Sequence, residues 1–391
     1  MKEIVGIITM HRVQNFGSAL QAYALQKKIC DLGYTAELID YLYPNAEHSA
    51  KQGTKYHRKS VLLLRIKGWL ASLILFFGIK KGKSQAQKIQ RRLKRNKCFQ
   101  AFYDRYFNLS PHQYVTRNSL KKRPPQYDIY MTGSDQVWNP RFAVGDDNFM
   151  LAFACDNAPR GAYAASFSID QIPIDLQQIY ACNLARYQSI GVREESGKDL
   201  ASNFSGKPVA WVCDPTLLLT AKEWFALDTQ SPLLNKPYLL VYILHYAYDP
   251  YPQIMDIIQK LKLASSMDVV VLGGLKKGYS ILGAITFDAV GPLEFINLFR
   301  HATKVITTSF HGTLFALNFE KPFYSVIESR NTHDSRILSL LQKCGAEDSV
   351  LMLTDTNLIF KTITPQKYTP YVEKFRNESL AFLQKMLQIK C

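Results

Sequence analysis

The residues best suited to chemistry lie in Thr307-Thr308-Ser309-Phe310-His311-Gly312-Thr313. An apolar run, Lys304-Val305-Ile306, precedes them, and a helical run, Leu314-Phe315-Ala316-Leu317, follows. His311 therefore stands where a parallel strand passes into a helix. Free N–H groups and a partial positive charge make that junction the place where α/β proteins gather anionic ligands. A buried histidine at a helix start has the same surroundings, so residue type alone leaves both roles open. Arg193 ends the short strand Ser189-Ile190-Gly191-Val192, and a guanidinium there is a good fork for carboxylate or phosphate. Glu194 and Glu195 need only the first-turn role of helix carboxylates. Ser134, Asp135 and Gln136 follow the strand Asp128–Thr132. They read either as a ligand edge or as a capping turn with Trp138 packed into the core. Arg336, in Asp334-Ser335-Arg336-Ile337, reads either as a second anion ligand or as a surface helix arginine.

These residues need a scaffold of alternating strands and helices. Val5–Thr9 predicts a buried strand, followed by a polar loop through Asn15, Gly17 and Ser18. A helix is then expected from about Ser18 to Leu32, with Ala22, Leu25, Ile29 and Leu32 as its core stripe and Gly33 as its stop. Thr35–Asp40 completes a βαβ unit whose loop could cradle an anion; it lacks a dinucleotide or Walker A pattern. Gly161–Phe167, Ser189–Val192 and Pro208–Pro215 supply further strands of a first domain, residues 1–226. The Pro-containing stretch 227–237 is the expected linker. A second domain, 238–365, follows with strands at Tyr238–Leu244, Val269–Gly274, Val305–Thr308 and Phe323–Ile327. Helices are expected near Pro252–Leu261 and from Pro292. Residues 366–391 form a last helix, about Val372 to Ile389, that is expected to pack back on the first domain. Alternation of this kind predicts parallel sheets.

Five stretches occur in order: Asn15–Leu25, Gly133–Asn139, Val192-Arg193-Glu194, Asp214-Pro215-Thr216-Leu217-Leu218 and Ser309-Phe310-His311-Gly312. Together they resemble the polysaccharide pyruvyl transferase family, over about residues 4–345. The resemblance implies two Rossmann-like domains in the GT-B glycosyltransferase arrangement, phosphoenolpyruvate as donor, and a sugar or lipid-linked oligosaccharide diol as acceptor. It implies no metal and no other cofactor. By this resemblance Arg193 and His311 take donor binding and catalysis; Ser309, Gly312 and Arg336 are further candidates on the donor side. Asn15, Gly17, Ser18, Ser134 and Gln136 face the acceptor, and Asp135 binds or activates its hydroxyl. Whether His311 holds phosphate or moves a proton stays open. Two other readings also stay open: a glycosyltransferase using a nucleotide sugar on the same fold, and a non-catalytic, membrane-associated part of a polysaccharide assembly complex.

Composition agrees with a two-domain enzyme, since 391 residues exceed one core. The seven cysteines are scattered and the eight histidines lack metal-site spacing. The expectation is a reduced, cytoplasmic protein, with no secretory signal before the first strand. The net charge of +16 is concentrated in one segment. Residues 51–100 hold 15 Lys or Arg and no Asp or Glu, leaving 33 basic against 32 acidic residues elsewhere. The segment also contains the apolar run Val61–Ile79, whose uncharged part is too short to span a bilayer. It is expected to form a helical insertion at about 51–107. That insertion either packs on its own domain or lies on an anionic inner-membrane surface at the cytoplasmic face. No nucleic-acid module is recognisable, so nucleic acid is not expected as a partner. Oligomeric state is left open.

Overall fold

The computed structural model describes residues 2–42, 67, 72, 83–143, 146–265, 267–329, 336–355, 360–361 and 364–390. The apolar run Val61–Ile79, apart from Lys67 and Ser72, lies outside the described residues, as do residues 43–60 and 80–82.

Two six-stranded sheets, parallel throughout, carry the chain. The first consists of β1 (Ile4–Ile8), β2 (Thr35–Leu38), β3 (Ile129–Thr132), β4 (Arg160–Ala165), β5 (Ser189–Val192) and β6 (Val209–Trp211), in the order β2-β1-β3-β4-β5-β6. The second has β7 (Tyr238–Tyr242), β8 (Asp268–Leu272), β9 (Ile285–Phe287), β10 (Lys304–Thr307), β11 (Phe323–Ile327) and β12 (Val350–Met352). Its order, β9-β8-β7-β10-β11-β12, is the doubly wound order of dinucleotide-binding folds. Strand order reverses between β1 and β3, and again between β7 and β10. A crevice opens at the carboxyl ends of such strand pairs. The central strands β3, β7 and β11 are buried along their whole length, which is why they read as continuous apolar runs.

Seven helices border the site and the shared core: α1 (Phe16–Asp31), α2 (Lys83–Tyr106), α3 (Pro215–Leu218), α4 (Pro292–His301), α5 (Phe310–Asn318), α6 (Arg336–Lys343) and α7 (Pro365–Met386). Helix α1 begins before the expected Ser18, because extended Asn15 accepts from the N–H groups of Gly17 and Ser18 and so caps it. Helix α7 begins at Pro365, well before the expected Val372, and runs through Pro370.

The two sheets share one apolar core. Phe16 at the start of α1 stacks on Phe295 of α4 (4.9 Å between centroids) and meets Phe99 of α2 at 5.4 Å. Each such aromatic pair contributes about 0.5–1.5 kcal/mol beyond its buried area. Helix α2, the described end of the basic insertion, buries Phe99, Phe102 and Tyr103 in this core. Its Arg95 lies 4.6 Å over the Phe16 ring. Helix α7 returns to the first sheet. Ser379 Oγ accepts the Cys213 N–H at 2.8 Å. Met386 fills the space beside Gly161, where a Cβ would come within 2.7 Å of its sulfur.

Candidate functional site

The loop after β1 is held by buried hydrogen bonds. Thr9 Oγ1 donates to the Ser134 carbonyl at 2.7 Å, and Gln21 Nε2 donates to Thr9 Oγ1 and to the Ser18 carbonyl. At its outer end, Arg12 donates from Nε and Nη2 to the two oxygens of Asp40, each at 2.7 Å. Burial alone would raise the Asp40 carboxyl; His11 and Arg12 outweigh it and hold the group well below the usual carboxylate range. These bonds tie the start of α1 to the ends of β1, β2 and β3.

A second set of polar residues follows β3. Asp135 sits at φ 77°, a left-handed conformation that Asp tolerates better than most residues. Its Oδ1 accepts the next N–H, of Gln136, at 2.9 Å, and its Oδ2 accepts Ser18 Oγ at 2.5 Å. Gln136 turns its side chain to Asn139 (2.9 Å). Ser134 Oγ donates to Asp214 Oδ2 at 3.2 Å. Trp138 is fully buried.

Asp214 is the centre of the site. It follows β6 and caps α3, where Pro215 takes the first helical position; Oδ1 accepts Thr216 N (3.0 Å) and Thr216 Oγ1 (2.9 Å). Its other oxygen faces Arg193 Nη1 at 3.0 Å and His311 Nε2 at 3.4 Å. The histidine contact lies at the outer edge of hydrogen-bond range and off its ideal direction, so Nε2 is buried without a well-formed bond. Burial would push this carboxyl up, but His311 and Arg193, with the Thr216 N–H, hold it well below the usual range. Arg193 Nη2 also stands 3.8 Å from Asp135 Oδ1. Polar side chains from five loops thus form one chain, Ser18–Asp135–Arg193–Asp214–His311, that crosses from the first sheet to the second.

His311 is placed by α5, whose cap is Ser309: Oγ accepts the Gly312 N–H at 3.2 Å. Ser309 is therefore a capping residue, and Gly312 packs its Cα against Thr307 Oγ1, where a Cβ would come within 2.4 Å. Phe310 carries two guanidiniums near its ring, Arg193 at 4.8 Å and Arg336 at 5.5 Å. Arg336 is buried, so the surface-arginine alternative does not hold. With Thr308, Phe310, Leu244 and Tyr248 it lines a small pocket at the carboxyl ends of β7 and β10.

The site differs from expectation in several ways. Arg193 was expected to offer an open fork, but its side chain is only 1% exposed and is already paired with Asp214. Glu194 does not serve a helix start. It is buried and accepts the N–H groups of Phe167 and Ser168 at 2.7 and 3.0 Å, fixing the loop after β4. Asp214 and Phe310 stood in the recognised stretches without a role. The signal for Asp214 was Asp-Pro-Thr after a strand, which predicts a cap and gives no hint of the second oxygen. Among the described residues no three His, Cys, Asp or Glu are grouped as a metal site.

The fold and the residue chain define a two-lobed α/β protein with a polar site between parallel sheet edges. The chain belongs to the polysaccharide pyruvyl transferase family: the family model matches residues 15–330. Solved structures show a GT-B arrangement. A protein assigned as a UDP-N-acetylglucosamine 2-epimerase from Listeria monocytogenes is 11% identical, with TM-score 0.50 over 98% of this chain and 91% of its own. MnaA of S. aureus, solved with UDP, is also 11% identical, with TM-score 0.50 over 100% and 99%. At that identity the likeness is one of fold. A comparison with curated proteins finds no match. Among the described residues no helix is long and apolar enough to cross a membrane.

Proposed function

We propose that the protein moves the enolpyruvyl unit of phosphoenolpyruvate onto two hydroxyls of a sugar, forming a pyruvate ketal and releasing phosphate. The observation that carries this reading is the charge chain that brings His311 and Arg193 of separate sheets onto one carboxylate, Asp214. In the reaction a proton adds to the methylene carbon of the donor. One sugar hydroxyl then adds to C2 and gives up its proton, and the second displaces phosphate as its own proton leaves. The donor's charge suits the α5 end and the pocket beside Arg336. The acceptor suits the opposite wall, where Asn15, Gly17, Ser18 and Asp135 lie. His311 stands between the walls, the position of a group that moves a proton. The chemistry asks nothing of a metal or cofactor. The test supplies phosphoenolpyruvate and lipid-linked saccharides to the purified chain, with chelator. Phosphate release with the mass of a pyruvate ketal on the glycan is expected. Nucleotide release from a sugar nucleotide instead would assign the glycosyltransferase reading.

We further propose that the protein works at the cytoplasmic face of an anionic membrane, held there peripherally. Helix α2 buries its aromatic face in the core and exposes Lys88, Arg91, Arg92, Lys94 and Lys97. Its first acidic residue is Asp104. A one-signed helix face of this kind favours anionic lipid headgroups, and a lipid-linked acceptor would be met on the same surface.

A further inference from the structure

We infer that Asp214 is a positioning residue for the transfer, fixing which nitrogen of His311 carries a proton. The inference rests on the pyruvyl-transfer reading for its role in turnover, though not for its geometry. Asp214 is fully buried, and each of its oxygens has a separate task. Oδ1 is spent on Thr216. Oδ2 gathers Ser134 Oγ, Arg193 Nη1 and His311 Nε2.

An ionised carboxylate 3.4 Å from a ring nitrogen repels a lone pair and attracts an N–H. His311 therefore holds its proton on Nε2 and leaves Nδ1 as the basic nitrogen. The ring lies against the first sheet, because a Cβ on Gly17 would come within 2.1 Å of Nδ1, 2.2 Å of Cγ and 2.6 Å of Cε1. That is the wall of Ser18 and Asp135, joined to each other at 2.5 Å. Once the donor's methylene carbon has taken its proton and the C=C bond has opened, a sugar hydroxyl bound at this wall would break its O–H bond as its oxygen bonds to the electron-deficient C2. The proton goes to Nδ1, and Asp214 stays ionised throughout. The charged groups facing this pair are Arg193 from β5, Asp135 beyond it, and Arg336 across the Phe310 ring. Arg193 steadies the carboxylate at the same oxygen that faces His311.

Asp214→Asn tests the assignment, since asparagine keeps the cap on α3 and removes the charge. Nitrogen-edited NMR of the full chain, labelled in histidine and assigned with His311→Asn, reads the tautomer without substrate. The wild-type protein should show the Nε2–H form, and Asp214→Asn should shift it towards Nδ1–H. With phosphoenolpyruvate and acceptor, Asp214→Asn should lower kcat on the order of 10²-fold or more with little change in the donor KM. In a His311→Ala background the same substitution should cost nothing further. Wild-type His311 protonated on Nδ1 would overturn the inference even if the variant failed to fold. So would an equal loss of kcat in both backgrounds. If the tautomer is as expected but no pyruvate ketal forms with any acceptor, the functional reading alone fails.

Discussion

The imidazole of His311 fills the space that a side chain at Gly17 would need. A Cβ built on Gly17 would lie 2.1 Å from His311 Nδ1 and 2.2 Å from Cγ. Gly17 belongs to the first turn of α1 and His311 to the first turn of α5, so two helix starts from separate sheets meet at one contact. The glycine is required there for closeness of approach.

Gly17→Ala should therefore separate activity from stability. Alanine gains about 1 kcal/mol over glycine within a helix, which offsets part of the crowding. His311 must still move by more than an ångström, and misplacement of that size costs on the order of 10²-fold in turnover. Kinetics and a melting curve on one preparation check this. A variant with unchanged kcat would mean that the contact has no part in the reaction.

Arg193→Ala should cost more than donor affinity. The side chain is buried beside Asp214, and removing one partner of a buried ion pair typically costs about 3–5 kcal/mol. Lysine should not restore it, because a compact ammonium cannot reach Asp214 and Asp135 from one planar fork while lying flat over Phe310. Urea unfolding of the alanine and lysine variants measures the loss. A wild-type midpoint with only a raised donor KM would return Arg193 to the role of an open anion ligand.

Much of this scaffold was legible because parallel strands and amphipathic helices leave strong patterns. Val5–Thr9 and Val305–Thr308 are apolar runs with polar ends, and each marks a ligand edge. The strands β9 and β12 escaped notice because three residues are too few to show alternation. The early start of α7 was hidden by Pro370, since an interior proline normally ends a helix. The roles of Asp214 and Phe310 depend on contacts such as Asp214–His311 and Phe310–Arg193, 97 and 117 positions apart, that no local pattern encodes. Glu194 misled because its neighbour Glu195 does precede a helix.

Acid should weaken the fold through carboxylates that the native state keeps ionised. The Asp40 carboxyl is held below its ordinary value, so in the folded protein it binds its proton later than in the unfolded chain. Its contribution is complete above the unfolded value of about 4 and is lost as pH falls towards the folded one. Asp40→Asn should flatten the stability curve over that acid range by up to one proton, about 1.4 kcal/mol per pH unit. Urea midpoints from pH 6 down to pH 3 for both proteins check this. Parallel curves would show that Asp40 carries no such linkage. Neutral-pH stability should also fall, because Arg12 loses both of its acceptors.

The basic face of α2 offers the clearest test of membrane attachment. Lys88, Lys94 and Lys97 are exposed on a helix whose opposite face is fixed in the core. Replacing them by glutamine should leave the fold intact, since surface substitutions usually change stability by less than 0.5 kcal/mol. Each basic residue near an anionic surface contributes about 1 kcal/mol, so three losses should weaken vesicle binding on the order of 10²-fold. Salt should weaken the wild-type protein in the same direction by screening. Co-sedimentation with vesicles rich in anionic lipid, against neutral vesicles as control, measures both effects. Equal sedimentation of wild type and variant would remove α2 from the attachment and leave the transferase assignment as it stands. A variant that loses vesicle binding but keeps turnover on a soluble acceptor would separate where the enzyme works from what it does.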